Sequence, residues 1–221
     1  MGRTGIGGGA SFGSAIGQGE RMAQASSSGF RLDEEDRLRA DLYRLVGGLL
    51  SRPPGGDTLA ALGALIGDES ELGRAVDALS AAARATTPEA AGDEYQELFI
   101  GVGRGELVPY GSYYLTGFLN EKPLARLRAD MAPLGIERAD DVKEPEDHAG
   151  ALMEMMAGLI DGTFGTVQPL AAQKEFFARH VGSWMTHFFA DLEAAKGARL
   201  YRPLGRIGRL FLALEAAAFE M

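Results

Sequence analysis

Apolar residues recur at helical spacing from Arg31 almost to the end of the chain. Leu38, Leu42, Leu45, Val46 and Leu49 fall mostly three or four positions apart. Asp33, Glu34 and Glu35 precede them, where the positive end of a helix dipole favours anions. Pro53-Pro54-Gly55-Gly56 ends this first helix. Leu59, Leu62 and Ile66 mark a short second one, and Leu72, Val76 and Leu79 a third. Thr86-Thr87-Pro88-Glu89 is a start signal, because proline lacks only an N–H that the first turn leaves unbonded. The helix it opens carries Tyr95, Leu98 and Phe99 on one face. A glycine-rich loop, Gly101–Gly105, runs on to Pro109, with a short helix expected around Ser112–Phe118. Pro123 opens a helix through Leu127 and Met131 that stops near Gly135. Pro145 opens another, with Leu152, Met156, Leu159 and Ile160 inward and Asp161-Gly162 at its end. Pro169 opens a long helix through Phe177, Val181, Trp184, Phe188 and Leu192 to Gly197. Pro203 opens the last, through Ile207, Leu210, Phe211 and Leu214. The pattern predicts an all-α fold, one compact helical domain over residues 30–221 with about eight or nine helices.

Residues 1–29 break the pattern. They hold nine glycines, a Ser26–Ser28 run and no periodic apolar face. Such a segment buries too little to offset its ordering entropy and reads as a disordered tail. It has neither the continuous apolar stretch of a secretory signal nor paired arginines, so the protein is expected to stay in the cytoplasm. Gly5, Gly7 and Ala10 match a loose dinucleotide fingerprint, but no strand precedes them.

Composition supports helices, with 34 Ala and 27 Leu against 7 Val and 7 Ile. The absence of cysteine excludes disulfides, thiolate metal sites and cysteine nucleophiles. A formal charge of −9 argues against nucleic acid or an anionic membrane as the main partner. No apolar run approaches the roughly 20 residues of a membrane span, so no stable insertion is expected.

Three places carry candidate chemistry. Tyr95-Gln96-Glu97-Leu98-Phe99-Ile100-Gly101 is followed by Pro109-Tyr110-Gly111-Ser112-Tyr113-Tyr114. Aromatics this dense beside a loop could line a groove that grips an extended peptide, or could anchor the loop to the core. Ser112 lacks the Gly-x-Ser-x-Gly setting of a nucleophile, and Gly101–Gly105 lacks the Gly-Lys-Ser/Thr of a phosphate loop.

The second place is Glu144-Pro145-Glu146-Asp147-His148. With Pro145 as the first helical residue, Glu146 and Asp147 would fall in the first turn and complement its free N–H groups. Residues 137–154 hold seven acids against Arg138 and Lys143, a local charge of −5 that could attract arginines. Adjacent residues on a helix point about 100° apart, so Asp147 and His148 make no chelating pair there. His180 and His187 are seven apart and could share a face without a carboxylate motif; Met153, Met155 and Met156 read as packing. The third place is the cationic series Lys196, Arg199, Arg202, Arg206 and Arg209. It is either a solvated face or a surface for carboxylates or phosphate.

Taken together, Leu98-Phe99-Ile100-Gly101, then Pro109-Tyr110-Gly111-Ser112-Tyr113-Tyr114, then Glu144-Pro145-Glu146-Asp147-His148 resemble the signature of the TorD/DmsD-type chaperones of molybdoenzyme maturation. Phe176, His180, Trp184, Phe188 and Tyr201-Arg202-Pro203-Leu204 resemble the family's C-terminal half. The likeness covers roughly residues 35–219, with Tyr95 and Tyr110 where relatives often have tryptophan.

This resemblance implies a cytoplasmic, all-helical, non-enzymatic chaperone without a cofactor of its own. Such proteins bind the twin-arginine leader and the apo form of a molybdopterin-dependent oxidoreductase, and delay export until cofactor is inserted. It implies a peptide site at Tyr95, Leu98, Phe99, Pro109, Tyr110, Gly111, Ser112, Tyr114, Glu144, Pro145, Asp147 and His148. If protonated His148 touches the leader, binding should change between about pH 6 and 7.5. Weak guanine-nucleotide binding, and monomer against dimer, stay open. The alternative class is an all-α enzyme with a carboxylate/histidine metal site.

Overall fold

The computed structural model describes residues 32–138 and 143–221. The expected tail, residues 1–29, lies outside the described residues, as do Asp140 and Asp141 of the acidic segment. Among the described residues there are ten α-helices. They are α1 Glu34–Ser51, α2 Gly56–Gly63, α3 Glu71–Arg84, α4 Pro88–Tyr95, α5 Gly111–Thr116, α6 Lys122–Met131, α7 Ala149–Asp161, α8 Leu170–Phe176, α9 Met185–Ala194 and α10 Tyr201–Ala218. Their starts follow local chemistry. The Ser70 hydroxyl accepts the Gly73 N–H at the head of α3, and Thr87 accepts the Ala90 N–H at the head of α4, with Pro88 behind it. The short α5 lies where a helix was expected in the long connector.

Packing ties the helices together in three main pairs: α1 on α7, α9 on α10, and α10 on α3. At the α1–α7 crossing the backbones nearly touch. A Cβ on Gly150 would lie 2.4 Å from Ser51 Oγ and 2.9 Å from the Gly47 carbonyl oxygen. Tyr43, Val46, Leu50, Leu152, Met153 and Met156 fill the space on either side and are fully buried. The Glu215 carboxylate of α10 accepts from Tyr43 Oη at 3.0 Å and from Arg39 Nε at 2.8 Å, locking α1 to the last helix. α10 has no side-chain cap of its own. The buried Glu94 carboxylate of α4 takes that role, accepting the N–H groups of Arg199, Leu200 and Tyr201 at 2.8, 3.1 and 2.9 Å.

Four details differ from the periodicity. Leu38 is 65% exposed, and the buried stripe of α1 runs instead through Ala40, Tyr43, Val46, Gly47, Leu49 and Leu50. Ile66, 90% exposed, lies beyond the end of α2. Pro145 does not open a helix, because α7 begins only at Ala149. The long helix from Pro169 is two: α8 passes through a π-turn, Phe177–Val181, and α9 restarts at Met185. The cause of the break is Trp184, whose indole Nε1 donates to the His180 carbonyl at 2.8 Å. That acceptor would otherwise serve Trp184's own backbone N–H, which turns to Val181 instead.

Candidate functional site

Two of the sequence motifs meet in a short antiparallel bridge between Tyr110 and His148. The Gly111 N–H donates to the Asp147 carbonyl at 2.9 Å, and the Ala149 N–H to the Pro109 carbonyl at 2.8 Å. Asp147, 3% exposed, accepts the Ser112 N–H on Oδ2 at 2.7 Å. This corrects the placing of Glu146 and Asp147 in the first turn of a helix from Pro145. Residues 146–147 form a turn closed by the His148 N–H on the Pro145 carbonyl, only His148 is extended in the bridge, and the Asp147 carboxylate serves the head of α5 rather than α7. α7 is capped by His148, whose Nδ1 accepts the Gly150 N–H at 3.1 Å. The neutral ring therefore carries its proton on Nε2.

One side of this bridge opens into a cavity of about 440 Å³. Tyr95, Glu144, Glu146 and His148 reach it from the motifs. Ser51 of α1 and Ala151, Glu154 and Met155 of α7 form another wall, and Met131, Ile136, Glu137, Arg138 and Phe164 close it. Tyr110 lies behind, its hydroxyl donating to the Glu144 carboxylate and its ring edge-on to His148 at 5.2 Å. Burial, then the Glu144 carboxylate, push the Tyr110 hydroxyl well above its usual pKa. Tyr95 Oη donates to the Leu50 carbonyl at 3.0 Å, and Phe99 stacks edge-on between Tyr95 and Tyr201 at 5.0 and 5.3 Å. Glu146 is spoken for: burial opposes its ionisation, yet Arg128, at 2.8 and 3.0 Å, and Arg138 hold it below the usual carboxylate range. Glu137, Glu144 and Glu154 are exposed and, among the described residues, sit in no ion pair. The cavity is thus an apolar floor under three carboxylates outside any ion pair among the described residues, one of which, Glu144, accepts from Tyr110.

The other expected site residues fall elsewhere. Gly111 and Asp147 face a second cavity, of about 330 Å³, on the far side of the bridge. Leu98 and Ser112 have no exposed surface, Pro109 is buried and Pro145 half-buried in the connecting segments. Tyr114 is pinned by its hydroxyl to Asp191 at 2.9 Å and by its ring to Trp184 and Phe188. The two histidines do not share a face. His180 Nε2 lies 2.8 Å from Asp130, whereas His187 is exposed beyond the break in the helix. Among the described residues no three His, Asp or Glu side chains gather as a metal would require. In the cationic series, Arg202 donates to the Ala195 and Ala198 carbonyls and Arg209 to Glu193, while Arg199 and Arg206 are exposed.

Sequence reasoning missed Ser51, Ile136, Met155 and Phe164. Glu154 left a trace as one of the seven acids, and Met155 was read as packing alone. The spacing of Glu154 from Ala151 and Met155 places all three on one face of α7, a signal that could have been read had the opposite wall been known.

The described residues form an all-helical bundle with an acidic, apolar-floored cavity. Residues 67–190 match the family model described as the nitrate reductase delta subunit, and the chain belongs to that family. The TorD/DmsD likeness of the chain is shown by the relatives. Over 126 residues the chain is 26% identical to the chaperone protein TorD of Vibrio cholerae serotype O1, covering 54% of this chain and 57% of that one. It thus spans little more than half the length of that relative. With the Tat proofreading chaperone DmsD of Salmonella typhi it is 29% identical over 180 residues, 77% of this chain and 85% of the other. A redox enzyme maturation protein from Archaeoglobus fulgidus shares the fold, with a TM-score of 0.52 and 21% identity over 85% of this chain and 98% of that one. The metalloenzyme alternative finds no support among these relatives.

Proposed function

We propose that the chain is a non-enzymatic cytoplasmic chaperone. It binds the twin-arginine leader and the apo form of a molybdopterin-dependent oxidoreductase, assists cofactor insertion and delays export. One observation carries this reading: Glu137, Glu144 and Glu154, in no ion pair among the described residues, stand over Met131, Ile136, Met155 and Phe164 in a single cavity. A twin-arginine leader joins guanidinium groups to an apolar stretch. Guanidinium matches carboxylate in a two-bond fork, and the apolar residues that follow gain by leaving water against the cavity floor. The Tat proofreading role in the name of the DmsD relative supports the same partner. Neither a guanine nucleotide nor the oligomeric state enters this reading.

Calorimetric titration with a twin-arginine leader peptide, and with the same peptide carrying two alanines in place of the arginines, tests it. Exposed ion pairs contribute about 0.2–1 kcal/mol each, so removing both arginines should weaken binding by roughly 2- to 30-fold. The gap between the two peptides should narrow with added salt, since screening acts over about 10 Å at 0.1 M. Equal affinities for the two peptides would remove the electrostatic part of the proposal.

A further inference from the structure

The 330 Å³ cavity on the far side of the bridge differs in character from the acidic one. Leu115 of α5 and Pro123, Arg126 and Leu127 of α6 line it, over a floor of Asp147 and Trp184. Asp147 is buried, and its Oδ1 has no hydrogen-bond partner. A buried carboxylate oxygen without a donor is costly, and a ligand that brings an N–H would relieve that cost. Arg179, at the same cavity, is already held by Asp130 at 3.0 Å and Glu175 at 3.3 Å. Arg126 is exposed and, among the described residues, joins no ion pair, so it offers a free cation at the rim.

The turn joining α5 to α6 runs between the lining residues Leu115 and Pro123 and is apolar and exposed. Gly117 ends α5 in the left-handed region and Asn120, at φ +60°, redirects the chain into α6. Between them Phe118 and Leu119 are 70% and 48% exposed, beside Leu115 at 46%. An acceptor needing a donor, a free guanidinium and an exposed apolar turn are what an extended peptide can answer at once, with backbone N–H, carboxylate and apolar side chain in alternation.

We propose that this cavity is a second docking site, which takes an acidic, apolar stretch of a partner polypeptide. It is opposite in charge preference to the leader cavity and independent of it. The chain's only tryptophan, Trp184, lines this cavity and not the other, so its fluorescence reports occupancy directly.

The test uses the full chain and an acidic peptide of about ten residues in which glutamate and leucine alternate, with a lysine–leucine peptide as control. The acidic peptide should change Trp184 emission saturably, and the lysine peptide should not. Arg126→Glu, and separately the pair Phe118→Ser with Leu119→Ser, should each weaken the response by about tenfold, as removal of a rim charge or an apolar contact does. A twin-arginine leader peptide should bind all variants as it binds the parent, and should not displace the acidic peptide. Displacement by the leader would overturn independence. No response, or the same response to the lysine peptide, would overturn the site. A response to glutarate alone that ignores Phe118 and Leu119 would reassign the cavity to a small anion.

Discussion

Burial pushes the pKa of His148 below its usual range, against the opposing pull of Glu144 and Asp147. Its Nδ1 already accepts the Gly150 N–H, so at neutral pH the ring is an uncharged cap whose Nε2–H is its remaining donor. A protonated His148 gripping the leader between pH 6 and 7.5 therefore does not fit the site. The sign for stability follows from linkage. The unfolded histidine, with a pKa of about 6.5, binds protons more readily than the folded one. Its contribution is fully present above that value and is lost as pH falls toward the depressed folded pKa. Urea unfolding should accordingly show stability declining from about pH 6.5 to 5. In His148→Gln the decline should be shallower but still present. His180 is also lowered by burial, which outweighs Asp130, so part of the slope belongs to it. Leader binding should stay flat from about pH 6.5 to 7.5. An undiminished slope in His148→Gln would move the effect to other groups.

Elements meet at the α1–α7 crossing, and there the site depends on what is missing. Gly47 and Gly150 carry no side chain, which lets Ser51 come close to Ala151 and Glu154 and form one wall of the acidic cavity. A methyl at Gly150 would be forced against Ser51 Oγ and the Gly47 carbonyl oxygen. Gly150→Ala should lower stability by about 1–3 kcal/mol, the usual cost of overpacking, and weaken leader binding by spreading the two helices. Adding Ser51→Ala should recover part of the stability and not all, because the backbone carbonyl stays in place. Full recovery would place the whole clash on the serine. The same scale shows why proline was an uneven guide. Pro88 and Pro123 sit in the first turns of α4 and α6, where the missing N–H costs nothing. Pro145 starts a turn instead, its carbonyl accepting the His148 N–H, because His148 is held by the bridge to Tyr110, far along the chain.

Residues 1–29 hold no apolar face that could dock. A chain beginning at Phe30 should melt at the same temperature as the full chain and bind a twin-arginine leader with equal affinity. A clear loss of either by scanning calorimetry or titration would assign those residues a structural or binding part. The count of helices was close for a physical reason. Eight or nine were expected and ten are present among the described residues, the difference arising where the Trp184 indole takes a backbone acceptor and splits the predicted helix from Pro169 in two.

What the chain determined by itself is local. Alanine and leucine content set the helical class. Thr87-Pro88 and Ser70 set helix starts, and Gly117, Gly135 and Gly162 set ends, because each acts on backbone groups within four residues. Ordered motifs were enough to mark the family. Only the tertiary structure decided which motif residues face a cavity. Asp147 finds Ser112 35 residues away, Tyr110 finds Glu144 34 away and Tyr95 finds Leu50 45 away. Those pairings put Tyr95, Glu144 and His148 in one cavity and turned Asp147, next to His148 in sequence, into the other. A turn at residues 146–147 and an extended His148 stand where a helix was expected, because a bridge from another part of the chain holds His148 and so sets the two side chains apart.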